Sequence, residues 1–315
     1  MANTTFSGPI RSENNVQLIS KTASTGVVHN RTQGFGLRDA RRYYLYESFA
    51  KKPGLNAVAI IDPDADSASD LAAYVIANKD FETLGTNYTT ALTTFAAHQA
   101  GILMTTATAD QDQAILLPHL DTNQSAWAKV LWGTENQVEW ECSINLAATD
   151  NQKVWAGLKL TNDQLPQTDA DQAYFYYASD ATNGQLIDNY APWYFIYSVN
   201  GTDYLTNLGI TVAADTNYHF KISIDSDRKP SVFVNGRQYS VTTSAITAFD
   251  GSTSVTGTTQ ATIAANYSAT NANTQKGAAL KDNIDLIPYV GIEAGDGAAA
   301  AVNVSYSNIS RLLFE

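Results

Sequence analysis

Residues 190–239 read YAPWYFIYSVNGTDYLTNLGITVAADTNYHFKISIDSDRKPSVFVNGRQY, and this stretch decides the fold. It contains four short runs in which apolar and polar residues alternate, and each run ends at a turn signal. Asn200-Gly201 and Asn235-Gly236 each supply the pair of positive-φ residues that a tight hairpin needs. Two such hairpins in one stretch predict a meander of antiparallel strands.

The same alternation continues on both sides of the meander. Strands are predicted near residues 81–84, 101–106 and 112–117, and Trp140 and Cys142, two apart in a longer run, are predicted to share one buried face. The 17 tyrosines favour strands, while Lys and Glu, which commonly fill surface helices, are scarce. The sequence therefore predicts an all-β protein built as a two-sheet sandwich.

Length and composition bound the class of protein. A chain of 315 residues that is 44% hydrophobic can bury a large core, and we expect one main domain. Cys142 is the only cysteine, so stability cannot depend on an intrachain disulfide. No apolar run approaches the roughly 20 residues of a membrane-spanning helix, and the start of the chain lacks an export signal. We therefore expect synthesis in a cytoplasm and no membrane partner.

Charge is distributed unevenly along the chain. The formal net charge is −12, but residues 1–60 carry +5 and the remainder carries −17. Residues 1–35 are too poor in apolar residues to form a helix or a self-sufficient strand, which indicates an extended segment. A basic arm on an acidic body suggests that the arm binds a negatively charged surface while the body faces solvent.

Bases and aromatic rings are interleaved in residues 36–60. This pattern is typical of nucleic-acid binding, where rings stack on bases and cations contact phosphates, but it also fits an acidic protein surface. The acidic remainder of the chain would repel a polyanion, so a protein partner is favoured and no nucleic acid is expected. The candidate binding residues of the arm are Phe6, Arg11, Phe35, Arg38, Arg41, Arg42, Tyr43, Tyr44, Phe49, Lys51 and Lys52.

Three regions are predicted along the chain. They are an extended basic N-terminal arm (1–60), a linker with a short helix at about residues 67–78 (61–80), and a β-sandwich (81–315). Residues 240–280 are crowded with small polar residues and nearly uncharged, so we interpret them as an insertion that forms an extra hairpin or contacts a neighbouring subunit.

The meander resembles that of a known fold family. The pattern ADTNYHFKISID, a polar turn and then VFVNGR is similar to the closing meander of concanavalin A-like jelly rolls, which include legume lectins and laminin-G-like domains. More narrowly, it looks like the version in structural proteins of tailed bacteriophages, marine and cyanobacterial phages especially. The opening MANTTFSGPIRSENN, with ISKTASTG after it, resembles a leader shared by such proteins.

This resemblance implies a fold and a role. The fold would be a concanavalin A-like jelly-roll β-sandwich covering about residues 80–315, with an extended arm and one short helix. The role would be that of a capsid decoration (cement) protein, anchored by its arm to the major capsid protein and located on the virion exterior. Decoration proteins of this kind commonly sit on threefold axes, so a homotrimer is expected. Deletion of residues 1–60 is expected to leave a folded body.

Catalytic and metal-binding patterns in the sequence are incomplete or absent. Glu139-Trp140-Glu141 comes closest to the paired acids of glucan-cleaving jelly rolls, but it lacks the rest of that motif, and both acids can simply face solvent. The four histidines show no metal-ligand spacing, and the nucleophile-elbow and phosphate-loop patterns are absent. We therefore predict no enzyme, no metal and no cofactor.

An alternative role is a tail or fibre adhesin that binds host-surface glycans. Trp193 and Tyr194 are the candidate glycan-binding residues, since exposed aromatic rings can stack on sugars. In an alternating strand, however, one of the two side chains must face the core. The sequence leaves the decoration protein and the adhesin both open.

Overall fold

The computed structural model describes residues 19–21, 28–30, 42–50, 52–55, 78–95, 101–118, 132–160, 169–179, 192–245, 275–295 and 297–313. The first nine strands are β1 (Ile19–Lys21), β2 (Val28–Asn30), β3 (Arg42–Glu47), β4 (Pro53–Leu55), β5 (Asn78–Leu84), β6 (Thr93–Phe95), β7 (Ile102–Thr105), β8 (Gln113–Pro118) and β9 (Glu139–Leu146). The other nine are β10 (Gln152–Lys159), β11 (Gln172–Ala178), β12 (Pro192–Val199), β13 (Thr202–Thr211), β14 (Asn217–Ile224), β15 (Pro230–Val234), β16 (Arg237–Tyr239), β17 (Ile287–Ala294) and β18 (Ala301–Leu312). Two short 3-10 helices span Thr90–Leu92 and Thr134–Asn136.

The described strands form two sheets. The ten-stranded sheet has the order β1-β2-β16-β15-β14-β9-β18-β7-β6, with β3 paired to the second half of β18. The eight-stranded sheet has the order β13-β12-β11-β10-β17-β8-β5-β4, and its β4–β5 pair is parallel. The all-β, two-sheet sandwich predicted from the sequence is therefore confirmed.

Both predicted hairpin turns are present. Asn200 and Gly201 have φ of 50° and 77°, and the flanking Val199 and Thr202 are paired. Asn235 and Gly236 repeat this geometry between β15 and β16, with φ of 50° and 76°. Two consecutive positive-φ residues match the right-handed twist of the flanking strands, and this fixes the register of each hairpin.

The core lies between the two sheets and is rich in aromatic rings. Phe175 on β11 stacks on Phe220 on β14, with ring centroids 4.3 Å apart. Trp193 meets Phe220 edge to face at 4.9 Å. Trp140 and Cys142, both fully buried, join this same cluster from β9, which confirms that they share a face.

The central strands of the eight-stranded sheet are buried on their outer face as well. Trp155, Tyr174, Tyr194 and Tyr289 belong to a second buried cluster on that face. A Cβ at Gly291 would lie 2.4 Å from the Trp155 ring, so only glycine leaves room for the ring there. The period-2 pattern alone does not reveal that both faces of these strands are covered, because it distinguishes apolar from polar positions and here both are apolar.

Segments of the predicted arm form strands at the margins of the sheets. β2 pairs with β16 and β3 pairs with β18 in the ten-stranded sheet, while β4 pairs with β5 in the eight-stranded sheet. Phe49 is 1% exposed and packs against Phe81 in the core, with ring centroids 5.4 Å apart. The described part of residues 42–55 is therefore built into the sandwich.

Two sequence predictions fall mainly outside the described residues. The predicted helix at about 67–78 lies there except for Asn78, which begins β5. Of the 240–280 insertion, the structure describes 240–245 and 275–280. The Val241 amide donates a hydrogen bond to the Gln275 carbonyl, so the insertion leaves and rejoins the sandwich at one place.

The Cys142 thiol should resist modification in the folded protein. Burial, and then the neighbouring Glu141 carboxylate, raise its pKa well above the usual value, so little thiolate forms at pH 8. Reaction with a chromogenic disulfide reagent should be slow in buffer and complete in denaturant. Fast labelling without denaturant would show that the β9 register is wrong.

Phe49→Ala should lower the free energy of unfolding by about 3–5 kcal/mol, because it leaves a cavity beside Phe81. Tyr43→Ala is the matched control, since Tyr43 is 38% exposed and lies only six residues earlier; its cost should be about 1 kcal/mol or less. Urea unfolding of the two variants measures the difference. Equal losses would place Phe49 outside the core.

Candidate functional site

A shallow, open pocket lies on the outer face of the ten-stranded sheet. We call it the outer-face pocket, and it is lined by Glu141, His219, Phe220, Lys221, Phe233, Gly236 and Tyr306. It is placed where four neighbouring strands, β15, β14, β9 and β18, cross the middle of the sheet.

Strand register brings the polar residues of the pocket together. Lys221 on β14 lies directly opposite Glu141 on β9 and opposite Phe233 on β15. His219 and Tyr306 both lie opposite Ser143, from the two sides of β9. Side chains directly opposite one another on the same sheet face lie within contact distance, so these residues form one surface.

An ion cluster occupies one wall of this surface. The Lys221 ammonium lies 2.9 Å from Glu139 Oε2 and 3.0 Å from Glu141 Oε1. Its side chain is 19% exposed, so it can still be reached from solvent. The lysine therefore bridges two carboxylates that stand two residues apart on one strand.

The cluster favours the charged forms of Glu139 and Lys221. Burial opposes ionisation of Glu139, but Lys221 and then Arg42 outweigh it, and the pKa of Glu139 lies below its usual value. Burial also opposes protonation of Lys221, but Glu139 and Glu141 together raise its pKa. Glu139 is thus a carboxylate at neutral pH and suits the role of hydrogen-bond acceptor rather than that of proton donor.

Aromatic rings form the second wall. The rings of His219 and Tyr306 lie 6.2 Å apart with planes inclined by 30°, and Tyr46 lies 6.1 Å beyond Tyr306 at 26°. Burial, and then the nearby Glu141 carboxylate, raise the pKa of Tyr306, so its hydroxyl stays protonated and can donate. The pocket thus combines ring faces with hydrogen-bond donors and acceptors.

The structure places five of the predicted arm residues. Arg42 donates hydrogen bonds to the Gln137 carbonyl at 2.6 Å and to Ser310, so its guanidinium is engaged within the chain. Tyr43 is exposed and Tyr44 is half-buried. Phe6, Arg11, Phe35, Arg38, Arg41 and Lys51 lie outside the described residues.

Two more arm residues differ from each other in accessibility. Lys52 remains accessible, with its ammonium 5.6 Å from the centroid of the exposed Phe95 ring. Phe49 was predicted to be a capsid-binding anchor, but it is a core residue. Its ring is buried within the chain and therefore cannot contact a partner.

The candidate glycan-binding pair is also corrected. Trp193 is fully buried between the sheets, and Tyr194 is 2% exposed on the outer face of the eight-stranded sheet. As alternation requires, the two side chains point to opposite faces, but here both faces are covered. Neither ring is available to stack on a sugar.

Among the pocket residues, sequence reasoning considered only Glu141 as a site candidate; those it missed include His219, Lys221 and Tyr306. The first two alternate with buried residues in β14, so their shared face could be inferred. Their proximity to Glu141 depends on β14 pairing with β9, which is far away along the chain.

In the part of the chain that the structure describes, no three His, Cys, Asp or Glu side chains are grouped so that they could hold a metal ion. Among the same residues, no helix has the length and apolarity to cross a membrane.

Lys221→Met should lower the free energy of unfolding by about 1–3 kcal/mol at pH 7, because two partly buried carboxylates lose their cation. The pKa of Glu139 is depressed in the folded state, so its pairing stabilises the fold above its unfolded pKa of about 4.3 and ceases to do so as pH falls through the folded value. The deficit of the variant should therefore shrink below about pH 4. Urea unfolding at several pH values measures it.

The matched control for this test is Lys229→Met. Lys229 Nζ lies 3.7 Å from Asp227, but both side chains are largely exposed, so the loss should stay below about 0.5 kcal/mol. A deficit for Lys221→Met that does not change with pH, or one no larger than that of the control, would contradict the ion-cluster account.

No family model matches the sequence, and no curated protein matches it. Solved structures of similar fold include a Bacillus licheniformis β-glucanase, 8% identical, with 84% of this chain and 97% of that chain covered and a TM-score of 0.43. A non-specific endo-β-1,3(4)-glucanase of family GH16 is 10% identical, with coverages of 87% and 92% and a TM-score of 0.44. Peanut lectin is 10% identical, with coverages of 88% and 100% and a TM-score of 0.40.

These comparisons correct one prediction. The prediction that the chain is not an enzyme is contradicted, because the similar structures include glucanases and alginate lyases. At 8–13% identity the likeness concerns the fold alone and assigns neither an activity nor a ligand. The chain has the all-β, two-sheet sandwich that the meander predicted, and the similar structures named here are jelly-roll glucanases and a lectin.

Proposed function

We propose that this chain is a structural protein of a tailed-bacteriophage virion. In this proposal it is a capsid decoration (cement) protein that contacts the major capsid protein through its N-terminal segment and displays the jelly-roll body on the capsid exterior. The resemblance of the leader and the meander supports this role, as does the +5 charge of residues 1–60 on an otherwise acidic chain.

The observation that carries the proposal is the position of the exposed large apolar side chains. Among the described residues these are Tyr43, Phe95 and Leu313, which are 38%, 51% and 44% exposed. Tyr43 follows Arg42 on β3, and Leu313 follows the β18 residue that pairs with Arg42. Lys52 lies over the Phe95 ring. Each exposed apolar group is next to a base of the N-terminal segment.

We call the side of the ten-stranded sheet formed by β3 and β6 the attachment edge. An accessible base beside an exposed ring, as at Lys52 and Phe95, suits a partner surface that is acidic and has apolar recesses, such as one formed where capsid subunits meet. Ion pairs at such a contact are screened by salt over about 8 Å, whereas buried ring contacts are not. Trimer packing on the shell, with residues 240–280 between copies, remains part of the proposal.

Deletion of the N-terminal segment is not a suitable test of attachment, because this segment is part of the fold. Deletion of residues 1–60 would remove Phe49 from the core together with β3 and β4, so a loss of binding could not be separated from a loss of folding. Point variants at the attachment edge keep the sandwich intact, because they replace side chains that are already exposed.

Tyr43→Ser combined with Phe95→Ser should reduce occupancy on decoration-free capsids of the source phage by about tenfold, since two exposed rings that would become buried are removed. The unmodified protein should remain bound in about 1 M salt. Cosedimentation with capsids measures both. The control is Lys229→Ala, a change at an exposed lysine outside the attachment edge that should leave occupancy unchanged.

A cryo-electron microscopy map of the virion provides a second measurement. Density for the sandwich on the capsid exterior, with β3 and β6 facing the shell, is the expected result. Density at the tail or a fibre would contradict the proposal and favour the alternative, an adhesin that binds host-surface glycans. Full occupancy of capsids by the double variant would show that the protein attaches through a different surface.

A further inference from the structure

Two Asn-Gly pairs among the described residues carry the same reactive chemistry. In such a pair the backbone nitrogen of the glycine can attack the side-chain amide carbon of the asparagine, because glycine has no side chain that obstructs the approach. Asn200 and Asn235 are both exposed, and the two turns have nearly the same backbone, with φ of 50° and 77° in one and 50° and 76° in the other. Any difference in their reactivity must therefore come from what surrounds them.

The Asn200-Gly201 turn is held from several directions. The backbone N–H of Gly201, which contains the attacking nitrogen, donates a hydrogen bond to the Ala170 carbonyl at 2.8 Å. The backbone N–H of Asn200 donates to Asp171 Oδ1 at 2.9 Å, and the Lys281 ammonium donates to Asn200 Oδ1 at 3.3 Å. These bonds engage the nitrogen and keep the turn closed.

The Asn235-Gly236 turn is held on the asparagine side only. The backbone N–H of Asn235 donates to the His219 carbonyl at 2.8 Å, and Asn235 Oδ1 accepts a hydrogen bond from the backbone N–H of His219 at 2.9 Å. The backbone N–H of Gly236 has no hydrogen-bond partner among the described residues. Beyond it, β16 is only three residues long, and it pairs with β2 through one residue pair, Arg237 with His29. The glycine side of this turn can therefore open at the cost of few contacts.

The hydrogen bond from His219 also prepares Asn235 for the attack. A donor at Oδ1 draws electrons from the side-chain amide carbon and stabilises the negative charge that develops on the oxygen, as in an oxyanion hole. Lys281 gives Asn200 a similar bond, so the difference between the two sites lies in the glycine N–H. In the closed turn the glycine nitrogen continues the main chain and must rotate toward the side-chain carbon. Reaction therefore occurs only in the fraction of molecules in which the glycine side has opened.

We propose that Asn235 is a site of self-modification, at which the chain converts asparagine to aspartate and isoaspartate without an enzyme. The Gly236 nitrogen forms a bond to Cγ of Asn235, the Cγ–Nδ2 bond breaks, and ammonia leaves with the proton of the Gly236 N–H. Water then opens the cyclic imide at either of its carbonyls, which gives aspartate or isoaspartate. The reaction needs no oxidant and no partner, so it is independent of the proposed function.

Isoaspartate changes the hairpin more than aspartate does. It adds a methylene to the main chain of a two-residue turn as well as a negative charge. The register of β16 depends on this turn, so the pairing of Arg237 with His29, which ties β2 to the ten-stranded sheet, should be lost. Modification therefore loosens one margin of the sheet as the protein ages.

Peptide mass spectrometry of the folded full chain, sampled during incubation in warm, mildly alkaline buffer, tests the proposal. Chymotrypsin cleaves after aromatic residues, so cleavage after Tyr197 and Phe233 releases the two described pairs in separate short peptides. Asn183-Gly184 lies outside the described residues and is released in a peptide of its own. Aspartate and isoaspartate should accumulate at Asn235 about tenfold faster than at Asn200.

The matched control is the same chain in denaturant, where Asn200 and Asn235 should react at one rate because the structure that distinguishes them is gone. Equal rates in the folded protein, or a faster reaction at Asn200, would overturn the proposal. So would the absence of modification at Asn235 over a period in which the denatured chain reacts to completion. Hydrogen exchange of β16 should quicken as isoaspartate accumulates, and unchanged exchange in modified molecules would contradict the loss of register.

Discussion

The packing of aromatic rings between the two sheets is the contact on which the rest of the structure depends. Phe175 from the eight-stranded sheet stacks on Phe220 from the ten-stranded sheet, and Trp193 closes over Phe220 from the side. Large rings bury much apolar surface for little loss of side-chain freedom, so this contact fixes how the sheets face one another. Because the inner-facing side chains of β14 and β9 pack in this core, every second residue of these strands points outward. Some of these outward residues line the outer-face pocket.

The N-terminal segment combines a structural task with a proposed attachment role. Phe49 fills the core beside Phe81, and Arg42 is held by the Gln137 carbonyl and by Ser310. Tyr43 remains 38% exposed, with its ring centroid 5.8 Å from that of Trp132. A single segment can serve both purposes because Phe49 and Arg42 secure it while part of the Tyr43 ring stays accessible.

The ion cluster shows how two acids on one strand can be stabilised without facing water fully. Lys221 forms ion pairs with both Glu139 and Glu141. The pKa of Glu139 is lowered and that of Lys221 is raised, so both groups favour their charged forms. The two carboxylates and the one ammonium leave a net charge of −1, which the nearby Arg42 guanidinium offsets.

The sequence by itself determined the strand class, the two Asn-Gly hairpins and the shared face of Trp140 and Cys142, because these depend on local backbone preference and on a period of two. Only the tertiary structure decided which outward residues meet: Lys221 reaches Glu141 because β14 pairs with β9, and no local rule fixes the pairing of strands so distant along the chain. It also decided that both Trp193 and Tyr194 are buried, since alternation separates the two faces of a strand but does not state what covers each one.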